Sequence, residues 1–394
     1  MARDVVIVDG VRSAVGTFGG SLKDIPPTQL AAKVAAEALR RSGIEPGEVG
    51  QVVFGHVINT EARDMYLSRV AAVEAGIPAE VPALTLNRLC GSGLQAVVTA
   101  AQAIQLEDCD VALAGGAEVM SRSPYSLPAA RWGQKMGEAG GVDMMVGALT
   151  DPFGNGHMGV TAENLAEEHQ ITREEQDRFA AESHRRTTAA IQDGRFRDQI
   201  VAVEVRKGRG TALFDTDEHA RADVTADALG TLRPVFKKGG TVTAGNASGI
   251  NDGAAALVLM AAEAADKAGL KPRARLLGYA LAGVEPRTMG IGPVPAVRRL
   301  MERTGLAVED FDVVESNEAF AAQACAVSKC LGLDPGRTNP NGGAIALGHP
   351  IGASGAIIAV KALHELARTG GRRALMTMCI GGGQGIAVAV EAVR

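Results

Sequence analysis

The chain has 394 residues, 46% of them hydrophobic and 22% charged, with a formal net charge of −5. That length suits two or three domains rather than one core, and the acidic balance without a basic tract argues against nucleic acid as a partner. No apolar run reaches the ~20 residues of a membrane helix, and the five cysteines form no Cys-x-x-Cys pair, which leaves no sign of a zinc site or a disulfide framework.

In chain order, the opening MARDVVIVDG runs straight into a strand at residues 5–10, with no signal-peptide pattern. A cytoplasmic, reducing location is therefore expected. Residues 28–41 read as a helix ended by Gly43, residues 51–57 as a strand and residues 68–75 as a helix. PALTLN then leads into CGSGLQAVVTAAQAIQL, with helical apolar spacing over residues 94–106, and DVALAGGAEV is another buried strand. Strands alternating with helices predict an α/β sheet covered on both faces. With aromatics at only 3%, its core must rest on Ala, Val, Leu and Ile.

The C-terminal part repeats this order. Residues 274–283 open it, residues 294–304 form a helix, and residues 312–320 resemble the strand at 51–57 together with the residues just after that strand. A glycine-rich loop leads to a helix at 354–366 and then to ALMTMCIGGGQGIAVAVE, which reads as a hairpin. Ala353-Ser354-Gly355 stands where Gly91-Ser92-Gly93 stands in the first half. Two similar halves result, residues 1–120 with 248–270 and residues 271–394. Residues 121–247 are an insertion that splits the first half's own hairpin. It carries the single Trp, Trp132, and a helix at 172–194 whose Thr172 and Glu175 form a capping-box pattern. Such an excursion suits a ligand-binding lid or an interface.

Four motifs carry chemistry. Cys90 comes after an apolar stretch and precedes a glycine-rich helix start, where backbone N–H groups would lower its pKa from the usual ~8.5. The bland alternative is a small residue in a turn. Gly91-Ser92-Gly93-Leu94-Gln95-Ala96 also fits a dinucleotide fingerprint with Asp110 beyond it, but a cysteine before the first glycine is foreign to that pattern. His349 lies in NPNGGAIALGHPIGASGA, where Pro350 restricts its backbone, and a fixed imidazole is what a general base for a thiol requires. Cys379 ends a strand, and Gly381 to Gly383 can present N–H groups to an oxyanion. Asn317 and Glu318, in SNEAFAAQ, could instead cap the next helix.

NRLCGSGLQA, NEAFAAQ, NPNGGAIALGHPIGASGA and CIGGGQG, in this order and spacing, resemble the signature blocks of thiolases, and GGAEVMSRSPY, HMGVTAENLA and GNASGINDGAAALV match as well. The chain is most similar to bacterial biosynthetic β-ketothiolases (acetyl-CoA acetyltransferases), especially the broader-range kind that feeds polyhydroxyalkanoate synthesis. The resemblance implies duplicated βαβαβαββ halves in a five-layered αβαβα sandwich with an inserted loop domain. It implies no cofactor and no metal, because the coenzyme A thioesters, acetyl-CoA and short 3-ketoacyl-CoA, are substrates.

It also implies roles. Cys90 is acylated, His349 takes its proton, and Cys379 exchanges the α proton of a second acetyl-CoA. Asn317, through a water, and His349 hold one thioester oxygen, and the N–H groups of Cys90 and Gly381 hold the other. Arg221 lies near the nucleotide phosphates, Ser248 and Ala244 contact pantetheine, and Phe236, Leu149 and Met158 line its tunnel. His157 meets the pantetheine end, and Phe320 and Met289 shape the acyl pocket. Each of these apolar residues could equally be plain core. A homodimer or homotetramer is implied, with the stretch 121–137 as a tetramer contact. The rivals are a degradative 3-ketoacyl-CoA thiolase, a β-ketoacyl synthase and a non-catalytic acyl-CoA carrier.

Overall fold

The computed structural model describes residues 3–138 and 140–393. Its apolar runs pair into a sheet of eleven strands. In the first half, Val5–Ser13 pairs antiparallel with Asn251–Ala261, which pairs antiparallel with Val111–Val119. Gln51–Gly55 lies parallel beside Val111–Val119, with Ala83–Leu86 parallel at the edge.

The second half repeats the order. Ala274–Gly283 pairs antiparallel with Gln384–Ala392, then comes Arg373–Ile380 antiparallel and Val313–Ser316 parallel. Within the sheet the two halves meet where Val6 and Ile7 pair with Arg275 and Ala274. Strands such as Val111–Val119 are buried along their whole length, as covering on both faces requires.

Five layers result. Pro27–Ser42 and Leu67–Glu74 pack outside the first half's strands, in a cluster with Val52, Phe54 and Leu113. Pro293–Thr304 and Ala321–Leu331 pack outside the second half's, around Phe311 and Leu375. Ser92–Gln105 and Ile351–Thr369 lie between the two sets of strands, in a core that draws on both halves.

The small residues of these central helices have a steric reason. A Cβ on Gly93 would lie 2.6 Å from the Ala356 nitrogen, and one on Gly355 would lie 2.2 Å from the Leu94 nitrogen. The two backbones therefore touch, and a methyl group at either place has nowhere to go. This contact also closes the dinucleotide reading: Gly93 faces a helix and Gly91 the Ile380 side chain, and Asp110 is occupied by Arg3 at 2.6 Å on the surface.

In the second half, Arg373–Ile380 turns through Gly381, Gly382 and Gly383 into Gln384–Ala392, with φ of 82° and 88° at the last two glycines. In the first half the equivalent neighbours, Val111–Val119 and Asn251–Ala261, pair from Val119–Asp252 onward, yet the chain between them runs through the whole excursion. A fully buried ion pair ties that excursion to the body, with Arg12 donating to Asp217 at 2.7 and 2.8 Å.

The excursion's long helix is Arg173–Gln192, with Thr172 and Glu175 in a capping box. A second helix, Met158–His169, was not legible in the sequence because its N-cap is His157, whose Nδ1 accepts from Gly159 N at 3.1 Å. Histidine is not a usual residue there.

Candidate active site

Cys90 sits on a tight turn between Ala83–Leu86 and Ser92–Gln105. Leu89 takes a left-handed φ of 45°, which costs a residue with a Cβ about 1 kcal/mol or more. The Ser92 hydroxyl holds the turn, accepting from Arg88 N at 2.8 Å and donating to Leu89 O at 2.7 Å. Gly91 N closes it onto Arg88 O at 3.0 Å.

The expectation of a lowered thiol pKa is corrected here. Burial pushes the Cys90 thiol up, and the backbone N–H groups of Gly381 and of Cys90 itself offset this only in part, while Glu118 pushes it further up. The helix N-terminus was expected to dominate, but Cys90 lies before Gly91, the N-cap, and desolvation exceeds what a helix end supplies. The Gly381 N–H, from the second half, is the larger of the two backbone influences that lower the thiol of the first.

Cys379 is wholly buried at the end of its strand, and its thiol is pushed up by burial first and by Cys90 second. The two thiols are thus electrostatic neighbours across the halves. His349 is nearly buried, and its imidazole is lowered to about 4 by desolvation.

The Ser354 hydroxyl lies 2.9 Å from Pro350 O and 2.6 Å from His349 Nδ1. With its proton on Pro350 O it accepts from Nδ1–H, which leaves Nε2 a lone pair, with Asn317 Nδ2 3.5 Å away. Asn251 Oδ1 holds the backbone N–H of His349 at 3.0 Å. An imidazole kept neutral with an outward lone pair is equipped to take a proton.

The helix-capping role weighed for Asn317 and Glu318 does not occur. The N-cap of Ala321–Leu331 is Phe320, without a side-chain bond. Glu318 is instead buried, accepting from Ser183 Oγ at 2.6 Å and Asn339 Nδ2 at 2.8 Å.

The apolar candidates divide between the two thiols. Met158, Met289 and Phe320 share one cluster with Cys379, against which Phe236 packs. His157 stacks on Phe236 at 4.7 Å, and Phe236 meets Phe320 edge-on at 6.1 Å. Leu149 joins Cys90 in another cluster, around Ile58, Met120 and Ile351.

Arg221 belongs to neither thiol's cluster. It is exposed, its backbone N–H donates to His184 Nδ1 at 3.2 Å, and burial first and its charge second lower His184 and His219. Ala244 is exposed, and Ser248 is held by Ala319 O through its backbone N–H at 3.0 Å.

Sequence reasoning missed Ser354 as the partner of His349, and it missed Glu118. That buried carboxylate accepts from Val57, Ile58 and Gly352 N–H at 3.0 to 3.1 Å, tying three segments together beneath Cys90. A carboxylate inside the otherwise apolar VALAGGAEV was the available signal. Among the described residues no group of three or more His, Cys, Asp or Glu is placed to hold a metal, and no helix is long and apolar enough to cross a membrane.

A sulfur with backbone donors beside a second thiol, together with a buried neutral imidazole, between duplicated α/β halves, suits an enzyme that passes acyl groups through cysteine. The comparisons with known proteins agree. The model of the thiolase N-terminal domain matches residues 5–263 and that of the thiolase C-terminal domain residues 270–392. The chain belongs to the thiolase family.

It is 64% identical to the Beta-ketothiolase BktB of Cupriavidus necator over 394 residues, all of both chains. It is 52% identical to the Acetyl-CoA acetyltransferase of Pseudomonas aeruginosa over 98% of each. The crystal structure of the Bacillus anthracis acetyl-CoA acetyltransferase matches at a TM-score of 0.97 and 48% identity, covering 100% of this chain and 99% of the other. Human mitochondrial 3-ketoacyl-CoA thiolase in complex with CoA matches at 0.96 and 45%, covering 100% and 98%.

Proposed function

We propose that this protein is a β-ketothiolase that joins acetyl-CoA to a short acyl-CoA, acetyl-CoA itself or propionyl-CoA, by reversible Claisen condensation. The observation that carries the reading is the packing of the Cys90 turn of one half on the Cys379–Gly381 turn of the other, where a Cβ on Gly381 would lie 3.2 Å from Leu89 Cδ1 and one on Gly91 2.5 Å from Ile380 Cδ1.

In the first step His349 Nε2 takes the Cys90 proton, and the thiolate attacks the thioester carbonyl. The N–H groups of Cys90 and Gly381 hold the oxyanion. CoA leaves with the proton returned by His349, and the acyl group stays on sulfur. In the second step His349 takes the Cys379 proton, and the resulting thiolate removes an α proton from acetyl-CoA. Asn317, through a water, and the protonated His349 hold the enolate oxygen. The enolate carbon attacks the acyl-Cys90 carbonyl, the product leaves as 3-ketoacyl-CoA, the Cys90 thiolate regains its proton from His349, and Cys379 is left as the thiol.

Burial suits the second step. A thiol held well above its ordinary value is a reluctant acid, and its thiolate is correspondingly the stronger base for a weakly acidic carbon. It suits the first step less, so the cost of ionising Cys90 falls on the His349 pair and the two backbone donors.

The excursion at 121–247 is the CoA-binding lobe in this reading. Arg221 meets the phosphates, Ser248 and Ala244 the pantetheine, and His157, Met158, Leu149 and Phe236 its path to sulfur. Phe320 and Met289 limit the acyl group. Tyr125, Leu127, Trp132 and Met136 are exposed at 54 to 92%; an apolar set of that kind marks an interface, which supports a homotetramer or homodimer, with mass in solution as the check.

The test is condensation of acetyl-CoA with propionyl-CoA beside acetyl-CoA alone, with intact mass and peptide mapping for an acyl adduct. An adduct on Cys90 and products from both reactions are expected; an adduct elsewhere, or none during turnover, ends the proposal. The likeness to human 3-ketoacyl-CoA thiolase favours a second reading with the same residues and longer substrates. A chain-length series with its best activity on long chains would select that reading.

A further inference from the structure

One buried ion pair has no part in the condensation steps, yet it adjoins the residues that hold His349. Glu315 and Lys361 have side chains only 1% and 2% exposed, and Lys361 Nζ donates to Glu315 Oε2 at 2.7 Å and to Gly342 O at 2.8 Å. Alternation along Val313–Ser316 and the residue beyond it places Glu315 and Asn317 on one side of the chain. On the helix Ile351–Thr369, Ser354, Ile358 and Lys361 recur at helical spacing on one face.

The two faces close on a cavity of about 20 Å³, lined among others by Glu315, Ser316, Asn317, Ser354 and Lys361, all buried. That is room for about one water molecule. Glu315 Oε1 and Ser316 Oγ are buried and have no hydrogen-bond partner among the described residues. The same small space therefore touches both groups that hold the imidazole, Asn317 near Nε2 and Ser354 at Nδ1.

Stability gives little reason for charges here. A buried ion pair must repay its desolvation, and an apolar pair of equal volume commonly does as well or better. Even beside an ammonium, burial pushes Glu315 up to about 7. What the pair supplies is spacing. It pins the strand end that leads into Asn317 to the helix that carries Ser354. Its second bond, to Gly342 O, fixes the loop that leads into His349.

We propose that Lys361 and Glu315 are positioning residues of the acyl-transfer site, setting the distance between Asn317 and Ser354 so that His349 stays aimed, with one water in the cavity completing the bonds of Glu315. This rests on the roles proposed for His349 and Asn317 in condensation.

The test uses the full-length enzyme as Lys361→Met, Glu315→Gln and the double variant. The double variant carries no charge at these two positions. It should melt close to the wild type and still take an acyl group on Cys90. Its kcat for condensation should fall about tenfold, with KM for acetyl-CoA within about twofold. Lys361→Met alone should fall further, because it leaves the buried Glu315 without its partner, and adding Glu315→Gln should recover part of that loss.

A double variant with the kcat of the wild type overturns the proposal, as does a loss confined to KM. If the double variant does not fold, Glu315→Ala, which removes the acceptor and leaves Lys361 its bond to Gly342 O, decides on the same kcat-against-KM split. Failure of the wild-type enzyme to form acyl-Cys90 would instead strike the reading of the reaction, which the mass measurement reports separately.

Discussion

The two halves repeat one arrangement of strands and helices but finish it differently. The second half closes its last two strands with Gly381 to Gly383; the first half opens the equivalent turn into the excursion. The helices after the two glycine-rich segments also start differently. One comes after a cysteine on a turn held by Ser92, the other after a histidine held by Ser354. In the proposed mechanism these two equivalent places hold the nucleophile and the base, the short turn supplies a donor, and the long excursion supplies the substrate lobe.

The largest test of this division is Cys90→Ser. Turnover should fall by roughly a thousandfold or more in the condensation assay, while CoA binding measured by calorimetry persists. An active serine variant would mean that the first half does not supply the nucleophile.

Next, Cys379→Ala should lose about 10²-fold or more in condensation yet still gain the mass of an acetyl group from acetyl-CoA. Equal loss of both half-reactions would erase the distinction between the thiols.

A smaller effect is expected at the turn itself. A Cβ on Gly381 would lie 3.2 Å from Leu89 Cδ1 and 3.3 Å from Met158 Cε, both ends of flexible side chains. Gly381→Ala should therefore fold. Its displaced N–H should cost about tenfold in kcat, checked by steady-state kinetics beside a melting curve.

The smallest is a pH effect on stability. His364, half-buried with Nε2 bonded to Gly10 O at 3.1 Å, is lowered to about 4. Above the ordinary imidazole value of about 6.5, neither folded nor unfolded chain holds that proton. Between 6.5 and 4 only the unfolded chain does, so stability is lost as pH falls through this window, and below 4 the loss stops growing. His364→Gln keeps a donor and removes the titration. Its Tm should drop about 2 °C less than that of the wild type between pH 6.5 and 4.5; parallel curves would remove His364 from the acid response.

The alternation, the repeat and the four reactive motifs were legible in the sequence because each rests on local pattern: period, glycine placement, a lone histidine before proline. The hidden features depend on contacts between distant segments. The direction of the Cys90 shift could not be read because it is set by burial under the other half, not by the helix start visible in CGSG. The helix Met158–His169 escaped for want of an ordinary cap. Glu315 and Lys361 lie 46 residues apart and become neighbours only when a strand and a helix of one half are folded together.

The rung between Val119 and Asp252 has a consequence for how such a chain can change. Because the excursion departs and returns at one point of the ladder, its ends stay a single strand spacing apart whatever lies between. Closing a longer loop there adds only about 0.6 kcal/mol for each doubling of its length. New sequence can accumulate or be exchanged as a cassette on top of the catalytic floor, so ligand preference can drift while the chemistry beneath is left alone.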